Sequence, residues 1–208
     1  MRPVRVLVFA KAPQPGVVKT RLIPALGPEG AARLAQRMLT HTVQQALASA
    51  VGDVVLCTSP APTHPAWQDA LPAALAQQLC WVDQGAGDLG ERLWRMAEHH
   101  AAAGHALLFI GTDCPALDAA ALHAVVQGLH THDAVLVPST DGGYVALGVR
   151  EPHPRLFADM PWSTPEVAAV TRARMAALGW HWAEAPALTD IDEPEHLAAL
   201  PAAWQEAA

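Results

Sequence analysis

The 208-residue chain is 51% hydrophobic and 16% charged, which is enough apolar sequence to bury the core of one domain. Its formal net charge of -7 and the lack of a Lys/Arg run argue against nucleic acid as a partner. Three scattered cysteines do not make a disulfide framework or a zinc site, and no apolar run approaches the roughly 20 residues that span a bilayer. With no signal-peptide pattern at Met1–Pro3, we expect a cytoplasmic enzyme or binding domain that covers residues 1–208 and has no membrane contact.

Strand and helix patterns alternate along the first two thirds of the chain. The predicted strands are Val4–Ala10, Asp53–Ser59, the weaker Cys80–Gln84, and Leu107–Ile110. The predicted helices are a long one from Pro28 to about Ala48, a short one near Trp67–Leu79, one capped by Asp88 with Glu91 in capping-box position, and one that ends near Leu129. This alternation is typical of a parallel sheet covered by helices.

The pattern changes at Asp141-Gly142-Gly143, a turn between two strand-like runs, Ala134–Pro138 and Tyr144–Val149. A hairpin at this point predicts one antiparallel strand in an otherwise parallel sheet. The remaining predicted elements are a helix Pro165–Leu178 stopped by Gly179, a short strand Trp180–Ala183, and a final helix Pro194–Leu200. We therefore expect a three-layer α/β/α domain with a mostly parallel, mixed sheet.

The predicted strand Leu107–Ile110 ends abruptly at Gly111-Thr112-Asp113. Ligands of open α/β sheets bind beyond the carboxyl ends of the strands, where Asp113 would lie. A carboxylate there can hold a hard divalent cation against phosphate oxygens. The alternative is that Asp113 only caps a turn before Pro115.

A cationic loop follows the first strand directly. Lys11, Lys19 and Arg21 lie within eleven positions of an otherwise acidic chain, and the loop is stiffened by two prolines and hinged at Gly16. These cations and the amides near Gly16 predict a phosphate-binding site at the same sheet edge as Asp113, although a solvated loop would show the same composition. The loop is not a P-loop, because Val18 precedes Lys19 where that motif requires glycine.

Asp190 and Asp192 stand two residues apart just before the last helix. One of them is expected to cap that helix. In an extended segment alternate side chains point to the same side, so the pair can also face one ion. Together with Asp113 they predict a Mg²⁺ or Mn²⁺ site of the kind used in phosphate-ester chemistry.

Other features carry less information. Gly85–Gly90 satisfies G-x-G-x-x-G, but its preceding strand is polar and third in the chain, so we expect an anion or sugar contact near Gly90 rather than a dinucleotide site. Trp162-Ser163-Thr164 offers a stacking face and two hydroxyls before a helix. The histidines have no zinc spacing. Cys114 is expected to be a small buried thiol.

Six ordered motifs resemble one bacterial family of the nucleotide-diphospho-sugar transferase superfamily, which has the GT-A fold. They are FAKAPQPGVVKTRL at 9–22, GDLGERL at 87–93, GTDCPAL at 111–117, DGGYVALG at 141–148, WSTPEV at 162–167 and TDIDEPEHL at 189–197. Its members include glycosyltransferases associated with arsenosugar biosynthesis and radical-SAM neighbourhoods. The family is also similar to the 2-phospholactate guanylyltransferases and, more distantly, to the molybdenum-cofactor guanylyltransferases.

The resemblance implies roles for individual residues. Lys19 corresponds to the cation on the α- and β-phosphates, Asp113 to the metal-binding aspartate, and Asp192, with Asp190 as the alternative, to the late acidic ligand. The expected second-substrate residues are Gly142, Gly143, Tyr144, Trp162, Ser163 and Thr164. Metal-dependent glycosyltransferases of this fold carry D-x-D, but this sequence has Gly111-Thr112-Asp113 with only the second carboxylate.

We therefore expect a metal-dependent transferase that moves a nucleotidyl group from an NTP to a small phosphorylated or carboxylated acceptor. Lys19 and Asp113 would be its catalytic residues, and Lys11, Gly16, Arg21 and Gly90 would contact the nucleotide. Glycosyl transfer from an NDP-sugar is the first alternative. A nucleotide-binding domain without catalysis is the second, and the presence of Lys19, Asp113 and Asp192 together argues against it.

Overall fold

The computed structural model describes residues 2–205, in which seven strands form one sheet of order β3-β2-β1-β4-β6-β5-β7. The strands are β1 Val4–Lys11, β2 Asp53–Ser59, β3 Cys80–Asp83, β4 Ala106–Ile110, β5 Ala134–Pro138, β6 Tyr144–Val149 and β7 Trp182–Glu184. Only β6 runs antiparallel to its neighbours, β4 and β5. The mixed sheet expected from the hairpin is confirmed.

Helices cover both faces of the sheet. They are α1 Ile23–Ser49, α2 Ala73–Ala76, α3 Leu89–Ala102, α4 Ala119–Gly128, α5 Val167–Ala177 and α6 Ala202–Gln205, with 3₁₀ turns at Thr20–Leu22, Pro65–Trp67, Pro154–Leu156 and Pro194–Ala199. On one face α1 and α4 pack Val43 and Leu122 into the cluster that contains Val6 of β1. On the other face α3 and α5 pack Met96 and Met175 into the cluster that contains Leu7. Successive β1 residues thus enter opposite cores, as strand geometry requires, and the three-layer α/β architecture is confirmed.

Most predicted elements form close to their expected positions. The Asp88–Glu91 capping box is present at the start of α3. The long helix is regular only from Pro28, because Gly27 before it has φ 69° and ψ 166° and joins it to a preceding turn. No helix among residues 2–205 is both long and apolar enough to cross a membrane.

Three predictions were wrong in detail. The helix near Trp67–Leu79 is only the turn Pro65–Trp67 and the four-residue α2, because prolines interrupt it. The last strand begins at Trp182 rather than Trp180. The final helix is a 3₁₀ turn, Pro194–Ala199.

The topology brings four chain segments to one edge of the sheet. Strands β1, β4, β5 and β7 run in the same direction, so the loops at their carboxyl ends meet there. After β7 the chain forms a parallel bridge from Leu188 to Ser139 and then reaches β4, where the Ile191 amide donates to the Asp113 carbonyl at 2.7 Å. Asp190 and Asp192 are therefore held beside Asp113 by backbone contacts.

Candidate active site

The Lys19 side chain is the centre of the candidate site. Only 6% of it is exposed, and its Nζ lies 2.8 Å from Asp113 Oδ1 and 3.4 Å from Asp192 Oδ1. The same nitrogen donates to the Ile191 carbonyl at 2.6 Å. Lys19 thus donates two hydrogen bonds, to Ile191 and Asp192, and forms an ion pair with Asp113. The two carboxylates flank a single cation.

Local backbone geometry aims Lys19 at this point. Lys19 has φ 49° and ψ 42°, a left-handed conformation that is costly for a residue with a Cβ and that concentrates at functional sites. The following turn buries Leu22 in a hydrophobic cluster that also contains Ile191, and both side chains are 0% exposed. This packing fixes the loop after β1 to the segment before the last turn, although they are about 170 residues apart in sequence.

Arg21 extends the network outward to solvent. Its guanidinium lies 2.8 Å from Asp192 Oδ2 and 3.2 Å from Glu193 Oε1. Glu193 was not predicted to take part, since its position in the sequence suggests only the start of a helix. Asp192 thus contacts two cations, whereas Asp113 contacts one.

A cleft of about 420 Å³ opens beside this network. One wall is apolar and is formed by six side chains, Phe9, Leu89, Leu93, Phe109, Tyr144 and Trp162. Tyr144 and Trp162 meet edge to face with ring centroids 6.4 Å apart. The predicted residues Gly143, Ser163 and Thr164 also line the cleft, as do Arg21 and Asp113.

Two acidic side chains that line the cleft, Asp141 and Asp190, have no cationic partner among the described residues. Asp141 accepts hydrogen bonds from the Gly143 amide at 2.8 Å and from the Ser139 hydroxyl. Asp190 lines the same cleft, and its Oδ1 is buried with no hydrogen-bond partner among the described residues. Burial, then the Asp141 charge, raises the pKa of Asp190 above its ordinary value.

Sequence reasoning missed Ser139 and Asp141 because Asp141-Gly142-Gly143 was interpreted only as a turn. The signal was available, since Asp141 follows the end of β5 just as Asp113 follows the end of β4. The apolar wall was also missed, because Phe9, Leu93 and Phe109 are indistinguishable from core residues in the sequence.

The remaining predicted residues lie outside the cleft lining. Lys11 is exposed at the end of β1, and Gly16 has φ +75° in an open part of the loop. Gly90 is buried against the Phe157 carbonyl and the Trp162 indole, so that a Cβ there would lie 2.3 Å from the carbonyl oxygen. Gly142, with φ +94°, packs equally closely on the Pro165 carbonyl and joins the hairpin to the start of α5. Both glycines thus have a packing reason beyond any ligand contact.

The thiol beside Asp113 is not a nucleophile in this environment. Cys114 is buried, and burial raises its pKa to about 11. It is protonated at neutral pH, in agreement with its interpretation as a small buried side chain.

The donor set fits a divalent cation that shares its coordination with a substrate. Asp113 and Asp192 already converge on one positive charge, the Lys19 ammonium. Among residues 2–205 no three Asp, Glu, His or Cys side chains converge to hold a metal ion. Mg²⁺ commonly takes only one or two carboxylates and completes its shell with phosphate oxygens and water, so a two-carboxylate set is compatible with it.

Comparisons with known proteins agree with the fold. A crystal structure from Desulfovibrio desulfuricans G20, described as a candidate nucleotide-diphospho-sugar transferase, matches with a TM-score of 0.82 and 27% identity over 93% of this chain and 84% of that one. A nucleotidyl transferase from Methanothermobacter thermautotroptrophicus matches with a TM-score of 0.63 and 16% identity over 99% of both chains.

The CMP:2-keto-3-deoxy-manno-octonic acid synthetase complexed with CTP is a more distant match, with a TM-score of 0.54 and 12% identity over 99% of this chain and 100% of that one. No curated protein matches the sequence. A family model described as "Uncharacterized protein conserved in bacteria (DUF2064)" matches residues 42–164, and the chain belongs to this family.

Proposed function

We propose that this protein is a nucleotidyltransferase of the nucleotide-diphospho-sugar transferase superfamily, which moves a nucleotidyl group from an NTP to a small acceptor with the help of Mg²⁺ or Mn²⁺. The observation that carries the proposal is the contact of Lys19 with Asp113 and Asp192 at the carboxyl edge of the sheet. A buried ammonium between two carboxylates is a preorganised charge arrangement of the kind that stabilises phosphoryl transition states.

Lys19 is already paired before a nucleotide binds. In the free protein its ammonium donates to the Ile191 carbonyl and to Asp192 and is paired with Asp113, so a phosphate oxygen that binds Lys19 would compete with these partners. If Lys19 gives up its contact with one carboxylate, that carboxylate becomes free to bind another cation. Arg21, whose side chain is 57% exposed, is placed to hold the departing pyrophosphate.

Asp113 and Asp192 would hold the metal ion, with Asp190 as the alternative second ligand. The ion supplies neutralisation of the charge that develops on the phosphate oxygens. Without the metal ion this edge of the sheet would repel a triphosphate. Four carboxylates line the cleft, those of Asp113, Asp141, Asp190 and Asp192.

The structural neighbours support an NTP as the donor. One of them is described as a nucleotidyl transferase and another was solved with CTP. The predicted nucleotide contacts at Lys11, Gly16 and Gly90 belong to this proposal. Lys11 is the last residue of β1, and Gly16 lies in the loop after β1 that also carries Lys19.

Glycosyl transfer from an NDP-sugar, as in the arsenosugar-associated group, is the second candidate. It is favoured by the neighbour described as a candidate nucleotide-diphospho-sugar transferase. Gly111 stands where D-x-D glycosyltransferases of this fold have their first carboxylate, and this favours nucleotidyl transfer. A domain that binds a nucleotide without reacting is the third.

The deciding experiment measures the leaving group. The purified protein is incubated with Mg²⁺ or Mn²⁺ and a library of small acceptors, either with the four NTPs or with UDP-, GDP- and CMP-sugars. We expect acceptor-dependent pyrophosphate release from an NTP. Free nucleotide from a sugar nucleotide would select the glycosyl alternative, and a nucleotide-induced rise in Tm without product would select the binding domain.

A further inference from the structure

The carboxylates around the cleft differ in whether they have a cationic partner. Arg21 is the only cation among the described residues that line the cleft, and it is already paired with Asp192 and Glu193. Lys19 lies buried between its own carboxylates. Asp141 and Asp190 face the same space with no cationic partner. No described lining residue is left to neutralise an anionic acceptor.

Asp190 adds a specific requirement. Its Oδ1 is buried and lacks a hydrogen-bond donor among the described residues. A buried acceptor of this kind costs free energy until a donor reaches it. A ligand hydroxyl or ammonium group supplies that donor, whereas a phosphate or carboxylate brings only further acceptor oxygens.

The apolar residues that line the cleft determine what shape of ligand fits it. Trp162 and Tyr144 present an edge-to-face aromatic pair to the cleft. Leu89 also lines the cleft and is 42% exposed. It is one of two large hydrophobic side chains exposed on the surface of the described residues. A cleft lined by apolar side chains and by two carboxylates without a cation matches a molecule with a flat or apolar body and a hydrogen-bond-donating end.

We propose that the acceptor half of this cleft selects a neutral or cationic molecule that has an apolar ring or chain and a hydroxyl or amino group, and that it rejects anionic acceptors. The inference rests on the proposed function only in calling this ligand the acceptor. It replaces the phosphorylated or carboxylated acceptor expected from the sequence. That expectation treats the cationic loop as open to both substrates, whereas in the free protein Lys19 and Arg21 are paired with Asp113, Asp192 and Glu193.

The test uses matched probes that carry no nucleotide. They are 4-(2-aminoethyl)phenol, 4-(2-hydroxyethyl)phenol and 4-hydroxyphenylacetate, which share a phenol ring and end in a cation, a hydroxyl and an anion. Binding to the full chain is followed by two-dimensional NMR at the Gly143 amide, which contacts Asp141. We expect the first two to bind with at least about tenfold lower Kd than the anion, because like charges in a partly buried site repel strongly. 2-Aminoethanol, which lacks the ring, should bind at least about tenfold more weakly than 4-(2-aminoethyl)phenol.

Two conservative variants assign the effect to the unpaired carboxylates. Asp141→Asn keeps an oxygen for the Gly143 amide, and Asp190→Asn keeps the shape of the side chain. Each should narrow the difference between the cationic and anionic probes by about fivefold. Asp69→Asn, at an exposed carboxylate outside the cleft, is the matched control and should leave all Kd values unchanged.

Tighter or equal binding of the anion, a charge preference that survives both variants, or no saturable shift with any probe would overturn the inference. The outcome is separable from the proposed function. A protein that follows this affinity order but releases no pyrophosphate keeps the inference and loses the nucleotidyl transfer. Pyrophosphate release with the reverse affinity order does the opposite.

Discussion

Each half of the candidate site holds two aspartates, but the aspartates of one half are paired with cations and those of the other half are not. In the Lys19 half, formed by Lys19, Arg21, Asp113 and Asp192, both carboxylates contact a cation at 3.4 Å or less. In the hairpin half, formed by Ser139, Asp141, Tyr144, Trp162 and Asp190, neither carboxylate has a cation among the described residues. One half is electrostatically complete, and the other requires something from outside the chain.

This difference indicates how the two halves use folding free energy. Paired charges around a buried ammonium stabilise the arrangement that they form, and breaking the pair leaves an uncompensated charge. Unpaired carboxylates destabilise the free protein and regain free energy only when a ligand binds. The same substitution, Asp to Asn, should therefore have opposite effects on stability in the two halves.

The largest expected effect is on turnover in the Lys19 half. Lys19→Met keeps most of the side-chain volume but removes the charge, and should lower the rate of pyrophosphate release by about 10²–10³. Because Lys19 is buried, donates two hydrogen bonds and is paired with Asp113, Lys19→Met should also lose stability, whereas replacing a solvated loop lysine would not. Turnover is compared with Arg33→Ala, which removes a positive charge from an exposed position outside the cleft. An unchanged rate in folded Lys19→Met would remove Lys19 from the catalytic machinery.

Asp113→Asn should lower stability by about 1–2 kcal/mol, because the Lys19 ammonium loses its nearer carboxylate. The sequence alone predicts instead that the stability of Asp113→Asn holds or rises, on the premise that unpaired carboxylates at this site repel each other in the metal-free protein. The structure corrects that premise, since Lys19 lies between them. Urea unfolding of the metal-free protein measures the difference, and a variant as stable as the wild type would contradict the pairing.

The sequence predicts the strands and their common edge well, but not the contacts between side chains. Strands β5 and β6 have the expected bounds because Asp141-Gly142-Gly143 marks the turn between them. Asp113 and Lys19 were placed at one edge because both follow parallel strands. Their direct contact was not predictable, since it depends on the left-handed backbone of Lys19 and on the burial of Ile191 and Leu22 in one cluster. Both are properties of the folded chain and not of local sequence.

A buried histidine far from both halves gives a reference for their pH dependence. His100, at the end of α3, is 5% exposed, and burial, then the nearby His99, Arg5 and His105, lowers its pKa to about 4. The unfolded chain therefore binds a proton below the ordinary pKa of about 6.5, where the folded protein does not. The stability contribution of His100 is present above pH 6.5 and should be lost as the pH falls towards 4.

His100→Leu removes this titration and tests the assignment. Urea titration at several pH values gives the unfolding free energies of the wild type and the variant. As the pH falls from 6.5 to 4, the wild type should lose stability relative to the variant. A pH-independent difference would mean that His100 titrates equally in both states. Because the two proteins share every other titratable group, the difference between them isolates the histidine.

The smallest expected effect, and the sharpest test of the comparison, is at Asp190. Its pKa is raised in the folded protein, chiefly by burial, so its stability contribution is present below its ordinary pKa and is lost as the pH rises through the folded value. Asp190→Asn should therefore be more stable than the wild type at pH 7, by about 0.5 kcal/mol for a half-buried group, and this advantage should shrink towards pH 4. Asp192→Asn is the matched control. It loses the ion pairs of Asp192 with Lys19 and Arg21, so this variant should be less stable than the wild type at pH 7. If both variants moved in the same direction, the two halves would not differ in the way that their contacts indicate.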